Sequence, residues 1–390
     1  MSQQKKVIYL DHAATTYVDP RVIEVMQPYW VEIFGNPSSL YEAGRAAKAA
    51  ITASRVTVAE ILGCDPSEII FEGSGTESDN HAIIGAAWAN KSRGNHLITS
   101  AIEHHAVLES CEFLERQGFE VTYLPVDQDG LVSLTELAKA LRPETILVSV
   151  MFANNEIGTI QPIAEIANLV KSKNPQILVH TDACQAAGYF DLKVDQLGVD
   201  LLTLNGSKIY GPKGTGVLYV KKGTALSNLV HGGGQENKRR AGTENVAGIV
   251  GLAKALSLIQ AERVTEVARL TILRDYLIES LLKLPKVLLN GHLTKRLPNN
   301  VNVSILDVEG ESLLLALDEL GVAVSTGSAC TSGNLEPSHV ILALGRQLEA
   351  AHGSLRFSLG HCNTKEDLDF VLDKLPPIIE QLRKISPVRL

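Results

Sequence analysis

Short, wholly apolar runs alternate along this chain with longer segments in which apolar residues recur every three or four positions. The runs Glu68–Phe71, His96–Thr99, Glu120–Leu124, Thr145–Val150, Ile177–His180 and Val199–Leu204 read as strands, and the periodic segments between them as helices. Continuous apolar strands separated by helices predict a mostly parallel sheet covered on both faces. Ahead of this series, Val7–Leu10 reads as a short strand. Asp19-Pro20 then caps a helix running to about Trp30, and an Ala-rich helix extends from about Tyr41 to Leu62. After the series, Thr215–Val220 forms another strand and a helix starts near Val246. From a long helix at roughly Glu262–Leu282 onward the pattern changes: Asn300–Leu306 alternates like a half-buried strand, Gly310–Leu320 is a helix and Val322–Val324 a strand. A helix from Thr364 follows, which Pro376-Pro377 should interrupt before a last helical stretch to about Lys384. The expected architecture is α/β, with a large domain at 16–262 and a smaller α+β domain built from 1–15 and 263–390.

Composition narrows the function more than the fold. The 390 residues are 45% hydrophobic and 21% charged, ordinary for a globular enzyme, and the formal net charge is −8. No basic run exceeds Lys238-Arg239-Arg240, so neither a nucleic-acid partner nor a membrane is expected. The five cysteines are scattered without a CxxC pair, which argues for no metal site and no disulfide framework. With no apolar leader at the N-terminus, a cytoplasmic location is expected.

Candidate chemistry collects just past the predicted strand ends, where α/β sheets place their sites. Lys208 follows the buried run ending at Leu204 and is stopped by Gly211-Pro212, a setting in which desolvation suits a Schiff-base lysine. Upstream, Val179-His-Thr-Asp182 ends an apolar strand in the carboxylate that a pyridoxal phosphate enzyme sets against its ring nitrogen. Gly73-Ser-Gly75-Thr76 turns a strand into a helix and forms an anion cup. His104 could stack on the ring and move protons, and Gln185 could donate to the ring's phenolic oxygen. Asn155 also follows a strand. The stretch His231–Asn245 is glycine-rich and polar, which fits either a disordered loop or one that crosses a dimer interface. Cys330 lies among small, polar residues, the surroundings of an exposed thiol, and Arg356 offers a planar fork for a carboxylate.

With these residues assembled, the chain resembles the cysteine desulfurases. The motifs that carry the likeness are YLDHAATT, GNPSS, GTES, EHHAVL, NNEIGTIQP, HTDACQ, SKIYGPKGTG, RRAGTENV, GSACTSGNLEPSHV and SLRFSLG, in fixed order over nearly the whole length. The resemblance implies the fold type I of pyridoxal phosphate enzymes, a homodimer, and removal of sulfur from L-cysteine to leave L-alanine. The long segment between Cys330 and Arg356 looks like the housekeeping and nitrogen-fixation group. By the same likeness Lys208 carries the cofactor, Asp182 faces its ring nitrogen, Gln185 its phenolic oxygen, and His104 is the stacking acid/base. Asn155 contacts cofactor and substrate, Arg356 clamps the substrate carboxylate, and Cys330 becomes the persulfide that passes sulfur to an acceptor protein. Gly75 and Thr76 hold phosphate within the subunit, and Thr243 reaches it across the dimer.

The chain departs from the pattern in places. The usual Ser-x-His before the lysine is Asn205-Gly-Ser207, Tyr41 stands where GNPSS commonly leads to His, His12 replaces a common Asn, and Phe152 a frequent His. The chain stops soon after Lys384, so the extension by which housekeeping members meet their scaffold protein is expected to be largely missing, leaving the acceptor open. A selenocysteine lyase, or another pyridoxal phosphate lyase or aminotransferase, is the alternative; it would keep Lys208 and Asp182 without needing Cys330.

Overall fold

The computed structural model describes residues 7–326 and 337–385. Its centre is a seven-stranded sheet with the spatial order Ile69–Glu72, Gly216–Val220, Leu201–Asn205, Leu178–Asp182, Thr145–Ser149, His96–Ser100, Glu120–Leu124. Neighbours run parallel except Gly216–Val220, which is antiparallel to both its partners. The apolar runs are continuous because successive residues feed two different cores. Ile69 and Phe71 join the core packed by the helices Glu42–Leu62, Ile163–Lys173 and Val246–Leu281, while Ile70 joins the core under Gly75–Asn90 and His105–Arg116. Parallel crossovers bring the carboxyl ends of these strands to one edge, and the segments after Ser100, Ser149, Asp182 and Asn205 all open there.

A second core is built on the antiparallel order Ser354–Ser358, Asn300–Ile305, Val287–Leu289. The chain's first strand, Ile8–Tyr9, pairs in parallel with Val322–Ala323, so the N-terminal residues belong to this second unit. Asp11 then bridges to Ser358 and leads the chain toward the sheet edge of the first unit.

Three features differ from expectation. The helices placed near Val246 and at Glu262–Leu282 are one helix, Val246–Leu281, since nothing between them breaks a helix. Its first half packs into the large core through Leu252, Leu256 and Ile259, and its second half into the small one through Leu270, Leu277 and Leu281, so the boundary at 262/263 falls inside it. The strand Asn300–Ile305 is buried at every position rather than alternately, because it is the middle strand of its sheet and is covered on both faces. The last helix runs unbroken from Lys365 to Ile385 through Pro376 and Pro377. There Leu368, Val371, Leu375 and Ile379 bury one continuous face in the small core, which outweighs a proline cost of about 3 kcal/mol. Among the described residues, no helix is long and apolar enough to cross a membrane.

Candidate active site

The lysine turn is built by the strand that precedes it and by the N-terminal loop. Leu201–Leu204 is buried, and Gly206 then accepts from Ile209 N and Gly211 N, which closes a tight turn around Lys208. Tyr210 adopts a left-handed backbone (φ 59°), a strain of roughly 1–3 kcal/mol for a non-glycine residue. Its surroundings hold it there. Thr16 Oγ1 accepts from Tyr210 N at 2.9 Å, Asp19 N donates to its carbonyl, His361 N donates to its hydroxyl, and the His361 ring stacks on it at 4.0 Å. Lys208 Nζ donates to the carbonyl oxygen of Ala14, in the same loop.

The anion cup lies at the start of the 16-residue helix Gly75–Asn90. Ser74 caps it by accepting from Glu77 N. A Cβ on Gly75 would stand 2.9 Å from Cys184 Sγ and 3.0 Å from Asn205 Nδ2, so only glycine brings the helix this close to the lysine strand. Glu77 is tied to Arg240 at 2.7 Å, which draws the glycine-rich segment toward the cup. Asn205 Oδ1 is buried with no hydrogen-bond partner among the described residues.

Beside the cup, Asp182 ends its strand buried, with Oδ1 accepting from Cys184 N at 2.9 Å. His104 caps the helix His105–Arg116, its Nδ1 accepting from Ala106 N at 3.1 Å. That bond leaves the neutral ring's proton on Nε2. Burial lowers the His104 pKa below its usual 6.5, with Lys208 and His105 adding to the shift and Asp182 opposing it. The imidazole is therefore neutral near pH 7. Behind Asp182, Asp79 is fully buried, and burial together with Asp182 raises its pKa well above the usual range; burial also lowers His180 to about 4. The His180 imidazole is therefore neutral near pH 7.

On the opposite wall, Arg356 donates to Asp11 Oδ1 at 2.8 Å and to the Asn155 carbonyl at 3.1 Å, while its Nε is buried without a partner among the described residues. Gln185 Nε2 donates to the Ala13 carbonyl. One cavity of about 470 Å³, in the range usual for cofactor sites, is lined by Gly75, Thr76, His104, Asn155, Asp182, Gln185, Asn205, Ser207, Lys208 and Arg356 together. Thr243 is outside it, exposed on the glycine-rich segment, and Cys330 lies outside the described residues. The sequence reading gave no role to Asp79, Met151, Cys184, Lys213, Gly214 and Thr215, which line the same cavity, and of the Ala13–Thr15 loop it saw only that the stretch could face a substrate. Asp79 could have been found, because it stands four residues after Gly75 on the same helix face.

The aminotransferase class-V profile matches residues 8–371. The cysteine desulfurase IscS of Methanosarcina thermophila is 56% identical over 388 residues, covering 100% of this chain and 96% of that protein. The enzyme of the same name from Dictyoglomus turgidum is 54% identical, covering 99% of this chain and 98% of that one. Among solved structures, a NifS-like protein superposes with a TM-score of 0.91 at 39% identity, covering 97% of this chain and 100% of that one. A structure of SspA in complex with cysteine does so at 0.80 and 37%, covering 90% and 98%. The chain belongs to the class-V aminotransferase family, in its cysteine desulfurase branch.

Proposed function

We propose that this cysteine desulfurase works through Lys208, Asp182, His104, Arg356 and Cys330, and moves the sulfur of L-cysteine onto Cys330 while releasing L-alanine. The observation that carries the reading is the convergence of Lys208, Asp182, His104 and Arg356 on one cavity at the carboxyl edge of the sheet. The cavity fits pyridoxal phosphate. Gly75 and Thr76 open a helix at the cavity wall whose N-terminus suits a phosphate, Asn205 Nδ2 and the hydroxyls of Thr76 and Ser207 could donate to it, and the Asp182 carboxylate on the same cavity suits a protonated ring nitrogen. Gly75, Thr76, Asn205 and Ser207 would hold the phosphate, Lys208 the aldehyde carbon, Asp182 the ring nitrogen, and Gln185 the phenolic oxygen. When bound, the cofactor supplies an electron sink for the carbon next to the substrate amine.

The chain's own groups do the rest. Arg356 receives the substrate carboxylate, pre-oriented by Asp11 and the Asn155 backbone. Lys208 takes the proton from the substrate's α-carbon, and Asn155 fixes the substrate beside it. His104, neutral with its proton on Nε2, is set to donate a hydrogen bond from that nitrogen to the substrate sulfur. The Cys330 thiolate attacks the substrate sulfur: an S–S bond forms, the carbon–sulfur bond breaks, its electron pair stays with carbon, and protonation there completes the methyl group of alanine. Ser325, five residues before Cys330, is bridged to Arg356 in both directions. Five extended residues span at most about 17 Å, which bounds how far Cys330 can be from Ser325.

We assign the large domain to 16–262 and the small one, with the cysteine segment, to 1–15 and 263–390. A homodimer is proposed from the exposure of Thr243 on a segment anchored by Arg55–Glu236 and Arg240–Glu77, so that Thr243 is free to meet the other subunit's phosphate. The persulfide is offered to an acceptor protein in iron–sulfur assembly or another sulfur-transfer route, and the cytoplasm, where thiols stay reduced, is the proposed compartment. The test is product analysis with cysteine and a thiol reductant. Alanine and sulfide in equal amounts are expected; pyruvate and ammonia in their place would contradict the reading.

A further inference from the structure

The chain leaving the cysteine segment re-enters the fold on the two loops that present His104 and Asn155. Ser338, eight residues after Cys330, is buried and donates through Oγ to Glu156 Oε2 at 2.5 Å. The next residue, His339, donates from Nε2 to the Glu103 carbonyl at 3.0 Å, and its ring lies 5.0 Å from that of His105. The short helix that follows, His339–Ala343, packs Val340 and Ile341 against Ile102 from the first loop and Met151 and Ile157 from the second. These contacts form a small core of their own, separate from the two domain cores.

Glu156 sits at the centre of this arrangement. Asn154 Oδ1 accepts from Glu156 N and Ile157 N, which folds the turn, and Asn154 Nδ2 donates to the Ile102 carbonyl, which ties the two loops together. Within the same turn Asn155 offers its carbonyl to Arg356. The turn therefore receives the carboxylate clamp on one residue and the root of the cysteine segment on the next. Eight residues span at most about 28 Å when extended, so the place where Ser338 is fixed bounds where Cys330 can go.

We propose that Glu156 is a positioning residue for sulfur transfer, pinning Ser338 so that Cys330 is delivered to a substrate held by Arg356 and Asn155. The inference rests on the functional reading above. It makes Glu156 matter for the step that needs Cys330 and not for cofactor or cysteine binding.

The test compares Glu156→Ala with Glu156→Gln in the cofactor-loaded enzyme. Glu156→Ala leaves Ser338 free to cap its helix through Ile341 N but removes its acceptor, whereas glutamine keeps an oxygen in place. For Glu156→Ala, kcat for alanine should fall at least tenfold with KM for cysteine within threefold, and amide exchange over Val340–Leu344 should quicken. Glu156→Gln should restore both. If Glu156→Ala does not fold, Ser338→Asp serves in its place, since it keeps a capping oxygen but sets a second carboxylate against Glu156. Parental kcat and parental exchange over Val340–Leu344 in the tested variant would overturn the proposal. A parent enzyme that makes no alanine would instead bring down the functional reading, and the exchange comparison would still decide whether Glu156 pins this segment.

Discussion

Arg356 and Asp11 meet at 2.8 Å through Nη2 and Oδ1, joining a strand near the end of the chain to the loop at its beginning. Arg356 is buried, and the Asp11 carboxylate compensates its charge while fixing the plane of its fork. A lysine could offer the same charge but not the two parallel donors of the planar fork. Arg356→Lys should therefore lose one charge-assisted hydrogen bond to the substrate carboxylate, roughly 1.5–3 kcal/mol, raising KM for cysteine about one to two decades. The cofactor's visible absorption should not change. Steady-state kinetics check this, and an unchanged KM would remove Arg356 from the substrate site.

Lys208 is the proposed anchor of the cofactor and the base for the α-proton. Lys208→Ala should abolish turnover and the enzyme's native visible band, because among the described residues the cavity holds one other lysine, Lys213, and that one donates to the Thr16 carbonyl. Absorption spectra and alanine assays of the purified variant decide the point. Parental turnover would sink the assignment.

If Thr243 completes the other subunit's phosphate site, Thr243→Ala should loosen pyridoxal phosphate by one hydrogen bond to a charged group, about one to two decades in dissociation constant. The loss should appear only in the dimer. Equilibrium dialysis together with sedimentation tests this, and a monomer with full cofactor occupancy would contradict it.

Glu103 gives a pH dependence whose sign is fixed by its burial. Burial raises its pKa to about 8 despite bonds from Ser100 Oγ and Met151 N, against about 4.5 in the unfolded chain. The folded state thus keeps a proton that the unfolded state gives up, and the stability present below about pH 4.5 is lost as pH rises toward 8, by at most about 1.4 kcal/mol per unit. Glu103→Gln mimics the protonated acid. Its stability should fall less steeply between pH 5 and 8 than the parent's in denaturant titrations, and identical slopes would mean that Glu103 does not hold the proton.

Much of this was legible because strands in a parallel sheet are short, apolar on both faces, and end where chemistry collects. His104, Asn155, Asp182 and Lys208 could each be placed at the sheet edge from one apolar run and the polar turn after it. Pairings between distant segments left no such mark. Nothing near Arg356 names Asp11, and nothing in NNE or EPSH says that Glu156 and Ser338 touch, since those contacts depend on how the second unit docks on the first. Pro376-Pro377 failed for the opposite reason: a local break signal there is overridden by the face Leu368–Val371–Leu375–Ile379, whose burial only the packed structure reveals. The break expected before Glu262 had no helix-breaking residue behind it, and the helix runs through.

The central claim is that sulfur leaves cysteine by attack of Cys330, and Cys330→Ser separates that step from everything before it. Serine keeps size and polarity but is a far poorer nucleophile near neutral pH. The decisive measurement mixes the variant with cysteine and follows the cofactor spectrum, alanine, and reductant-labile sulfur on the protein. The account predicts that the spectrum still shifts while neither alanine nor bound sulfur forms, and that Cys64→Ser, Cys111→Ser, Cys184→Ser and Cys362→Ser each retain persulfide formation. Alanine at the parental rate from Cys330→Ser would contradict it and make the enzyme a direct lyase.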